Sequence, residues 1–155
     1  MSYRKDKVRS LSGLNFHEYD TDKLRKLSRN ILENGMHGLC FSPYEEGQDP
    51  GDQLTESQIR RRLEIIRPYT NWVRSFSCTY GNELIPKLAK EYGLKTLVGA
   101  WLGEDEEMNK VEMKNLINLA KSGVVDIAAV GNEVLYRKEL SESALLEYIK
   151  SFKTF

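Results

Sequence analysis

The sequence predicts an α/β protein made of four consecutive βα units, which is half of a (β/α)8 TIM barrel. Three observations support this class. Strand-like apolar runs alternate with helical patterns four times between residues 38 and 150. The gaps between them are too short for an independent domain. No glycine-rich phosphate-binding motif follows the first strand, so a barrel is favoured over an open doubly wound sheet.

The first 37 residues stand apart from this repeat. Residues 1–20 are polar and mixed, which indicates an irregular arm. Residues 22–33 carry leucine and isoleucine at helical spacing, and Asn34 and Gly35 are a stop signal. We therefore divide the chain into an N-terminal arm with a short helix, residues 1–37, and a single half-barrel domain, residues 38–155.

The four predicted strands are short apolar runs followed by polar or turn-forming residues, and they cover 38–44, 72–78, 94–102 and 127–135. The last is the most informative, because its small and β-branched residues indicate a strand buried on both faces. Asn132 and Glu133 come at its exit. Ligands of α/β proteins bind at the carboxyl ends of parallel strands, so this pair is a candidate site. An isolated Asn–Glu pair is more often the start of a polar loop.

Each strand is followed by a predicted helix, at 55–69, at 83–92, at 106–121 and from Ser141 onwards. Thr55 and Gln58 fit a capping box, and Pro86 belongs in the first turn of its helix. The acidic residues at 104–107 are most simply a helix N-terminus. The predicted core-facing positions of the last two helices are Met108, Val111, Leu116, Leu119 and Ala120, then Leu145, Leu146 and Ile149.

Composition restricts the function classes. The 155 residues contain 23 basic and 23 acidic side chains, so nothing suggests a nucleic-acid partner. The longest apolar stretches are strand-sized and the N-terminus lacks the apolar segment of a signal peptide, so we expect a cytoplasmic protein that does not bind membranes. Cys40 and Cys78 are expected to be free, partly buried thiols, and His17 and His37 to lie on the surface or in loops. No metal and no cofactor is expected.

Chemically useful side chains lie at or near all four predicted strand exits: Tyr44, Arg74, Phe76, Trp101, Asn132 and Glu133. If the strands are neighbours, these residues converge on one rim. Aromatic faces suit the C–H side of a pyranose ring, and Arg, Asn and Glu suit hydroxyl groups. Each has a simpler alternative, since an aromatic residue in a strand is usually core and Arg74 could pair with a carboxylate inside a barrel.

The chain resembles the N-terminal half of glycoside hydrolase family 17, the β-1,3-glucanase-like barrels and related transglycosylases, from about Gly38 to Lys150. The resemblance is carried by GLCFSPY, by the segment from QDPGDQL to LVGAW, and above all by VDIAAVGNEVL. It implies that Glu133 is the general acid/base and that Asn132 binds the sugar 2-hydroxyl. Substrate-binding roles are implied for Tyr44, Arg74, Phe76 and Trp101, and the implied partner is a β-glucan or oligosaccharide.

The resemblance also implies a retaining mechanism, which needs a second carboxyl group about 5 to 5.5 Å from the first. In the family, that nucleophile is a glutamate at the end of strand seven, beyond the four units found here. A full barrel takes about 250 residues, so this chain cannot close one. We expect a homodimer that completes the barrel, in which Glu104 of one subunit faces Glu133 of the other. The alternatives are a non-catalytic carbohydrate-binding or oligomerising half-barrel remnant and an unrelated open α/β protein.

Overall fold

The structure, a computed structural model, describes residues 16–155 and divides the chain into two compact units at Asn34 and Gly35. Most of the predicted arm, residues 1–15, lies outside the described residues. In the first unit, a 3₁₀ turn at Phe16–Glu18 precedes helix α1, Thr21–Glu33. Asp20 caps α1, because its side chain accepts a 2.7 Å hydrogen bond from the backbone N–H of Lys23. The helix predicted at 22–33 is therefore present.

The second unit is a parallel four-stranded sheet in which every strand lies next to its neighbour in sequence. The order is β1-β2-β3-β4, and all three pairings are parallel. Its strands are β1, Leu39–Cys40; β2, Trp72–Ser75; β3, Lys95–Ala100; and β4, Ile127–Val130. Each strand is followed by at least one helix, so the α/β class and the alternating βα units predicted from the sequence are confirmed.

The observed strands are shorter than predicted, and β4 differs most. The fourth strand was expected to continue to residue 135, but it ends at Val130. Gly131, with φ of 83°, and Glu133, with φ of 53°, take left-handed conformations that a strand cannot contain. The chain then forms a single helical turn, α5, at Val134–Arg137. The last part of this prediction was therefore wrong.

The helices that follow the strands are α2, Glu56–Ile66; α3, Leu84–Glu91; α4, Glu106–Lys121; and α6, Glu142–Lys153. Helix α2 gives way to a 3₁₀ turn at Arg67–Tyr69, because Pro68 has no N–H to continue the α-helical bonds. Thr55 caps α2 as predicted. The reciprocal half of the capping box is not formed, since the Gln58 side chain donates to the carbonyl of Pro43 at 2.8 Å.

The hydrophobic core lies between the outer face of the sheet and the helices. One cluster contains Val73 with residues of α2 and α3, and a second contains Val98 with residues of α4 and α6. Two predicted core positions were wrong, because Val111 of α4 and Leu146 of α6 are about half exposed. The helices pack on one face only, so the sheet is asymmetric.

The inner face of the sheet is open in this structure. Leu97 is partly exposed, Ile127 is 48% exposed and Cys40 is exposed, whereas Val73 and Val98 on the outer face are buried. Cys40 was predicted to be partly buried; it is exposed because β1 directs it to this uncovered face. Trp72, Arg74, Leu97 and Ile127 contribute to a shallow, mainly apolar depression of about 220 Å³ on the inner face.

None of the helices among residues 16–155 combines the length and apolar character that crossing a membrane requires. A cytoplasmic location stays a prediction from the sequence.

Candidate functional site

A cavity of about 350 Å³ opens at the carboxyl end of the sheet, where the loops after the first three strands meet. Its most prominent lining residues are Tyr44, Phe76, Tyr80, Trp101, Met108 and Glu112. A volume of this size falls at the lower end of the range for small-molecule sites, about 300 to 1,000 Å³. The sheet topology thus brings three of the predicted substrate-binding residues, Tyr44, Phe76 and Trp101, to one cavity.

Two aromatic side chains give the cavity exposed walls. Trp101, at the end of β3, is 42% exposed, and Tyr80, in the loop after β2, is 44% exposed. Tyr80 has a φ of 54°, a left-handed conformation that bulky residues seldom adopt. Its carbonyl accepts a 2.9 Å hydrogen bond from the N–H of Leu54, and the next residue, Gly81, also has a positive φ of 87°. Surrounding structure therefore holds Tyr80 in a strained position, as is frequent at binding sites.

Tyr44 and Asn82 complete the polar part of this rim. The Tyr44 hydroxyl accepts a 3.2 Å hydrogen bond from the Asn82 side-chain amide, which also donates to the Thr79 carbonyl at 3.0 Å. Tyr44 packs against the first core cluster and is half-buried. Its ring is therefore fixed both by packing and by a hydrogen bond.

Arg74 lies on the inner face of the sheet and not in the lining of the 350 Å³ cavity. Its Nη2 atom donates a 2.8 Å hydrogen bond to Oδ1 of Asn132, and its guanidinium lies 4.7 Å from the Phe76 ring centroid. Arg74 therefore joins two predicted site residues, one after β2 and one after β4. The sequence predicted a substrate contact, whereas the structure gives Arg74 a partner within the protein.

Glu133 occupies the turn between β4 and α5. It is exposed, and its positive φ of 53° makes it one of three non-glycine residues with left-handed geometry in residues 16–155. Its carbonyl accepts a 2.9 Å hydrogen bond from the N–H of Arg137, which begins the α5 turn. The Glu133 side chain is not among those that line the 350 Å³ cavity. The structure thus places Glu133 at the predicted strand exit, with its carboxylate open to solvent.

Arg137 is a site residue that the sequence analysis missed. Its guanidinium donates to the carbonyl of Asn132, to the carbonyl of Leu102 at 2.8 Å and to the Glu139 carboxylate at 2.6 Å. It also stacks on Trp101, 4.3 Å from the ring centroid. The hydrogen bond from Arg137 lowers the pKa of Glu139 below its ordinary value. Arg137 thereby ties the exit of β4 to the exit of β3 and supports one face of Trp101.

Glu112, in α4, is the second residue that was missed. It is 1% exposed although it is acidic, and four donors converge on its carboxylate. Oε1 accepts from the hydroxyls of Ser77 at 2.5 Å and Thr79 at 2.7 Å, and Oε2 accepts from the backbone N–H groups of Cys78 at 2.8 Å and Trp101 at 3.1 Å. A signal was available, because the buried stripe through Met113, Leu116 and Leu119 continues backwards to Glu112.

The surroundings of the cavity offer little for metal or thiol chemistry. No group of three or more His, Cys, Asp or Glu side chains in residues 16–155 is placed to hold a metal ion. Burial, with smaller contributions from the neighbouring Glu112 and Glu83 carboxylates, raises the pKa of the Cys78 thiol far above its ordinary value. Cys78 is therefore a poor nucleophile, and the chemistry of the cavity rests on aromatic rings, hydroxyls and carboxyl groups.

An aromatic cavity at the carboxyl ends of four parallel strands defines the class of α/β proteins that bind a small molecule at this edge of the sheet. The comparison with protein families agrees and is more specific. Residues 38–155, about three quarters of the chain, match the BtgE/BtgC glycoside hydrolase domain. The chain therefore belongs to the BtgE/BtgC glycoside hydrolase family. No curated protein and no solved structure is significantly similar to it.

Proposed function

We propose that this protein is a hydrolase or transglycosylase of β-1,3-glucan that acts by a retaining mechanism, with Glu133 as the general acid/base. Membership of a glycoside hydrolase family supports the reaction class. The resemblance to glycoside hydrolase family 17 supports the linkage and the mechanism. The structural support is the position of Asn132 and Glu133, which leave β4 at the end of the sheet that holds the aromatic cavity.

The observation that carries the proposal is the hydrogen bond between Arg74 and Asn132. A guanidinium has only donors, so it selects the oxygen of the Asn132 amide and turns the Nδ2 group towards the remaining free side. An amide NH2 group fixed in this way is a suitable donor to the 2-hydroxyl of a sugar bound next to Glu133. Arg74 thus acts as a positioning residue for Asn132.

The aromatic cavity supports a pyranose substrate. Phe76, Tyr80 and Trp101 provide apolar ring faces, and Tyr44 provides a hydroxyl at the same rim. Stacking of a glucose ring against exposed aromatic faces removes apolar C–H surface from water while its hydroxyls remain available for hydrogen bonds. We propose that this cavity holds a glucosyl unit of the β-1,3-glucan.

Cleavage of a soluble β-1,3-glucan tests the acid/base assignment. Removal of a positioned general acid costs about 10² to 10⁴ in rate, so Glu133→Gln is expected to lose nearly all reducing-end release. Glu147→Gln, an exposed glutamate of α6, is the matched control and is expected to retain wild-type activity. Full activity in Glu133→Gln rules out the assignment. The anomeric configuration of the first product, read by NMR, separates retention from inversion.

The open inner face of the sheet supports a second element of the proposal, a homodimer. Strands β1 and β4 are the edges of the described sheet, and the inner face exposes Cys40, Leu97 and Ile127. Two copies related by a two-fold axis bring eight parallel strands together and cover both inner faces. In that arrangement, β3 of one subunit takes the seventh-strand position, and Glu104 is the nearest carboxylate to act as nucleophile opposite the partner's acid/base.

A matched pair of variants tests the homodimer. Ile127→Lys places a charge on the inner face, and Val111→Lys places the same charge at a comparable 45% exposed position on α4. Light scattering is expected to give a dimer for the wild type and Val111→Lys and a monomer for Ile127→Lys. A monomeric wild type contradicts the homodimer. If glucan cleavage survives in Glu104→Gln but is lost in Glu133→Gln, the proposed role of Glu104 is contradicted and that of Glu133 is not.

One observation favours a second candidate function, a carbohydrate-binding protein without catalysis. The Glu133 carboxylate is exposed and does not line the cavity, whereas the aromatic walls are complete within one chain. Titration with a β-1,3-linked glucohexaose distinguishes the two functions. Binding that is lost in Trp101→Ala, with no cleavage at any protein concentration, supports the binding protein over the enzyme.

A further inference from the structure

We infer that Glu112 is a positioning residue that sets the separation between the two aromatic walls of the cavity. None of its four hydrogen bonds comes from the ring of Tyr80 or of Trp101. It holds the segments that carry both walls instead. It accepts hydrogen bonds from the backbone N–H of Cys78 and the hydroxyl of Thr79, directly before Tyr80, and from the backbone N–H of Trp101 itself. The inference rests on the proposed sugar site for its functional meaning.

The hydrogen-bond pattern is unusually complete for a buried acid. A carboxylate only accepts, and each of its two oxygens here faces two donors: two hydroxyls on Oε1 and two backbone N–H groups on Oε2. The two oxygens of one carboxylate are rigidly spaced. The loop after β2 and the end of β3 are therefore both hydrogen-bonded to the same rigid carboxylate, which α4 supplies.

The neighbouring contacts strengthen this role. The side-chain amide of Asn115, one turn further along α4, donates to the carbonyl of Cys78 at 2.8 Å. Asn109, one turn earlier, accepts from the N–H of Gly103 and donates to its carbonyl, at 2.8 and 2.7 Å. Polar side chains of α4 thus hold both the segment at Cys78 and the segment from Trp101 to Gly103, and Glu112 is the one that contacts both.

Substitutions of Glu112 separate the contribution of the two hydroxyl donors on Oε1 from that of the two backbone donors on Oε2. In Glu112→Gln, the amide oxygen can face the two backbone N–H groups, while the NH2 group faces the hydroxyls and must lengthen the 2.5 Å contact to Ser77. Glu112→Gln therefore keeps both backbone hydrogen bonds, including the one to Trp101, and weakens only the hydroxyl contacts of the segment before Tyr80. Glu112→Met removes all four hydrogen bonds and loosens both walls. Thr79→Val removes one hydroxyl donor. It therefore removes one of the hydrogen bonds that Glu112→Gln weakens, by changing the donor and not the acceptor.

Trp101 fluorescence is the readout that needs no ligand. The chain has two tryptophans, so a Trp72→Phe background leaves Trp101 as the sole emitter. Its emission and its quenching by iodide are expected to be unchanged in Glu112→Gln and shifted towards a solvated indole in Glu112→Met. If Glu112 contributes only to overall stability, the Trp101 emission and quenching are expected to be the same in both variants at a low temperature at which both are folded.

Binding of a β-1,3-linked glucohexaose is the second readout. The hydrogen bonds of Glu112 are made within the protein, so their loss affects the sugar only through the position of the walls. We expect a loss of affinity of about fivefold or less, the equivalent of one net hydrogen bond, in Thr79→Val and in Glu112→Gln. A larger loss is expected in Glu112→Met, which removes all four hydrogen bonds. Wild-type affinity in a folded Glu112→Met protein overturns the inference. If that variant does not fold, wild-type affinity in both Glu112→Gln and Thr79→Val overturns it. A wild type that binds no glucan defeats the proposed function only, because the Trp101 emission still tests the positioning role.

Discussion

The two ends of the sheet each hold a carboxylate between neighbouring strands, and they hold it in different ways. At the amino end, Asp126 accepts from the backbone N–H of Thr96 at 2.7 Å and from the ammonium group of Lys90 at 2.6 Å, and its side chain is partly exposed. At the carboxyl end, Glu112 is buried and accepts from uncharged donors in each of its four hydrogen bonds.

This difference separates a stabilising contact from a positioning one. A partly exposed ion pair tolerates small movements and contributes a modest stability. A buried carboxylate with four hydrogen bonds tolerates little movement, because any lost partner leaves a buried polar group unsatisfied. In barrels of this type the amino end serves stability and the carboxyl end serves the site, and the two carboxylates follow that division.

Glu112→Met tests the carboxyl end with the largest expected effect. The backbone N–H groups of Cys78 and Trp101 lose a buried acceptor, and each unsatisfied donor costs about 1 to 3 kcal/mol, so we expect a loss of about 4 kcal/mol in the free energy of unfolding. Glu106→Met, at an exposed position in the first turn of the same helix, is expected to cost about 1 kcal/mol or less, because it loses only a favourable interaction with the helix dipole. Urea denaturation at one protein concentration measures both. Equal values for the two variants contradict the comparison.

Substitution of two glycines compares how closely the backbone is packed at the two ends of the sheet. Gly81 follows Tyr80 at the carboxyl end, and a Cβ there lies 2.5 Å from the carbonyl oxygen of Leu54. Gly93 precedes β3 at the amino end, with φ of 75° and nothing within 4 Å of an added Cβ. We expect Gly81→Ala to cost about 3 kcal/mol and Gly93→Ala about 1 kcal/mol, because only the first adds a backbone clash to the cost of a positive φ. Thermal unfolding separates the two; a larger loss in Gly93→Ala contradicts the prediction.

Asp126→Asn is expected to have the smallest effect, about 1 kcal/mol at neutral pH. The hydrogen bond from Lys90, supported by the one from Thr96, holds the pKa of Asp126 below its ordinary value of 3.8. A depressed pKa in the folded state contributes stability that is present above the unfolded value and is lost as the pH falls through the folded one. Denaturation from pH 7 to pH 3 is therefore expected to show wild type and Asp126→Asn converging below pH 3.8. A gap that widens in acid contradicts this assignment.

The order of the elements was predictable because local signals agree with the fold. Acidic residues and Asp105 mark the start of α4, and the Asp105 side chain accepts from the N–H groups of Glu107 and Met108, both at 3.0 Å. Pro86 lies in the first turn of α3, and Gly93 ends that helix with a positive φ. Periodicity and capping therefore determine where each helix lies.

The end of β4 and the supports of the site were not predictable by the same signals. Val134 and Leu135 are apolar and extend the strand pattern, but the left-handed turn at Gly131 and Glu133 redirects them into α5. Burial of Glu112 depends on donors from two other segments of the chain, 77–79 and Trp101, which sequence periodicity in α4 does not contain. Long-range polar contacts of this kind emerge only when the strands are in register.

The shortness of β1 has a consequence for the local stability of the cavity walls. β1 pairs with β2 over two residues, with one separate bridge between Met36 and Thr70, whereas β3 is paired on both sides over four residues. Local opening is therefore easiest at β1, and amide hydrogen exchange is expected to be faster at Phe41 than at Val98. The loop that carries Tyr44 follows β1, whereas Trp101 follows the doubly paired β3. The two walls of the cavity therefore rest on strands of unequal local stability, and the end of β1 is expected to open before the end of β3.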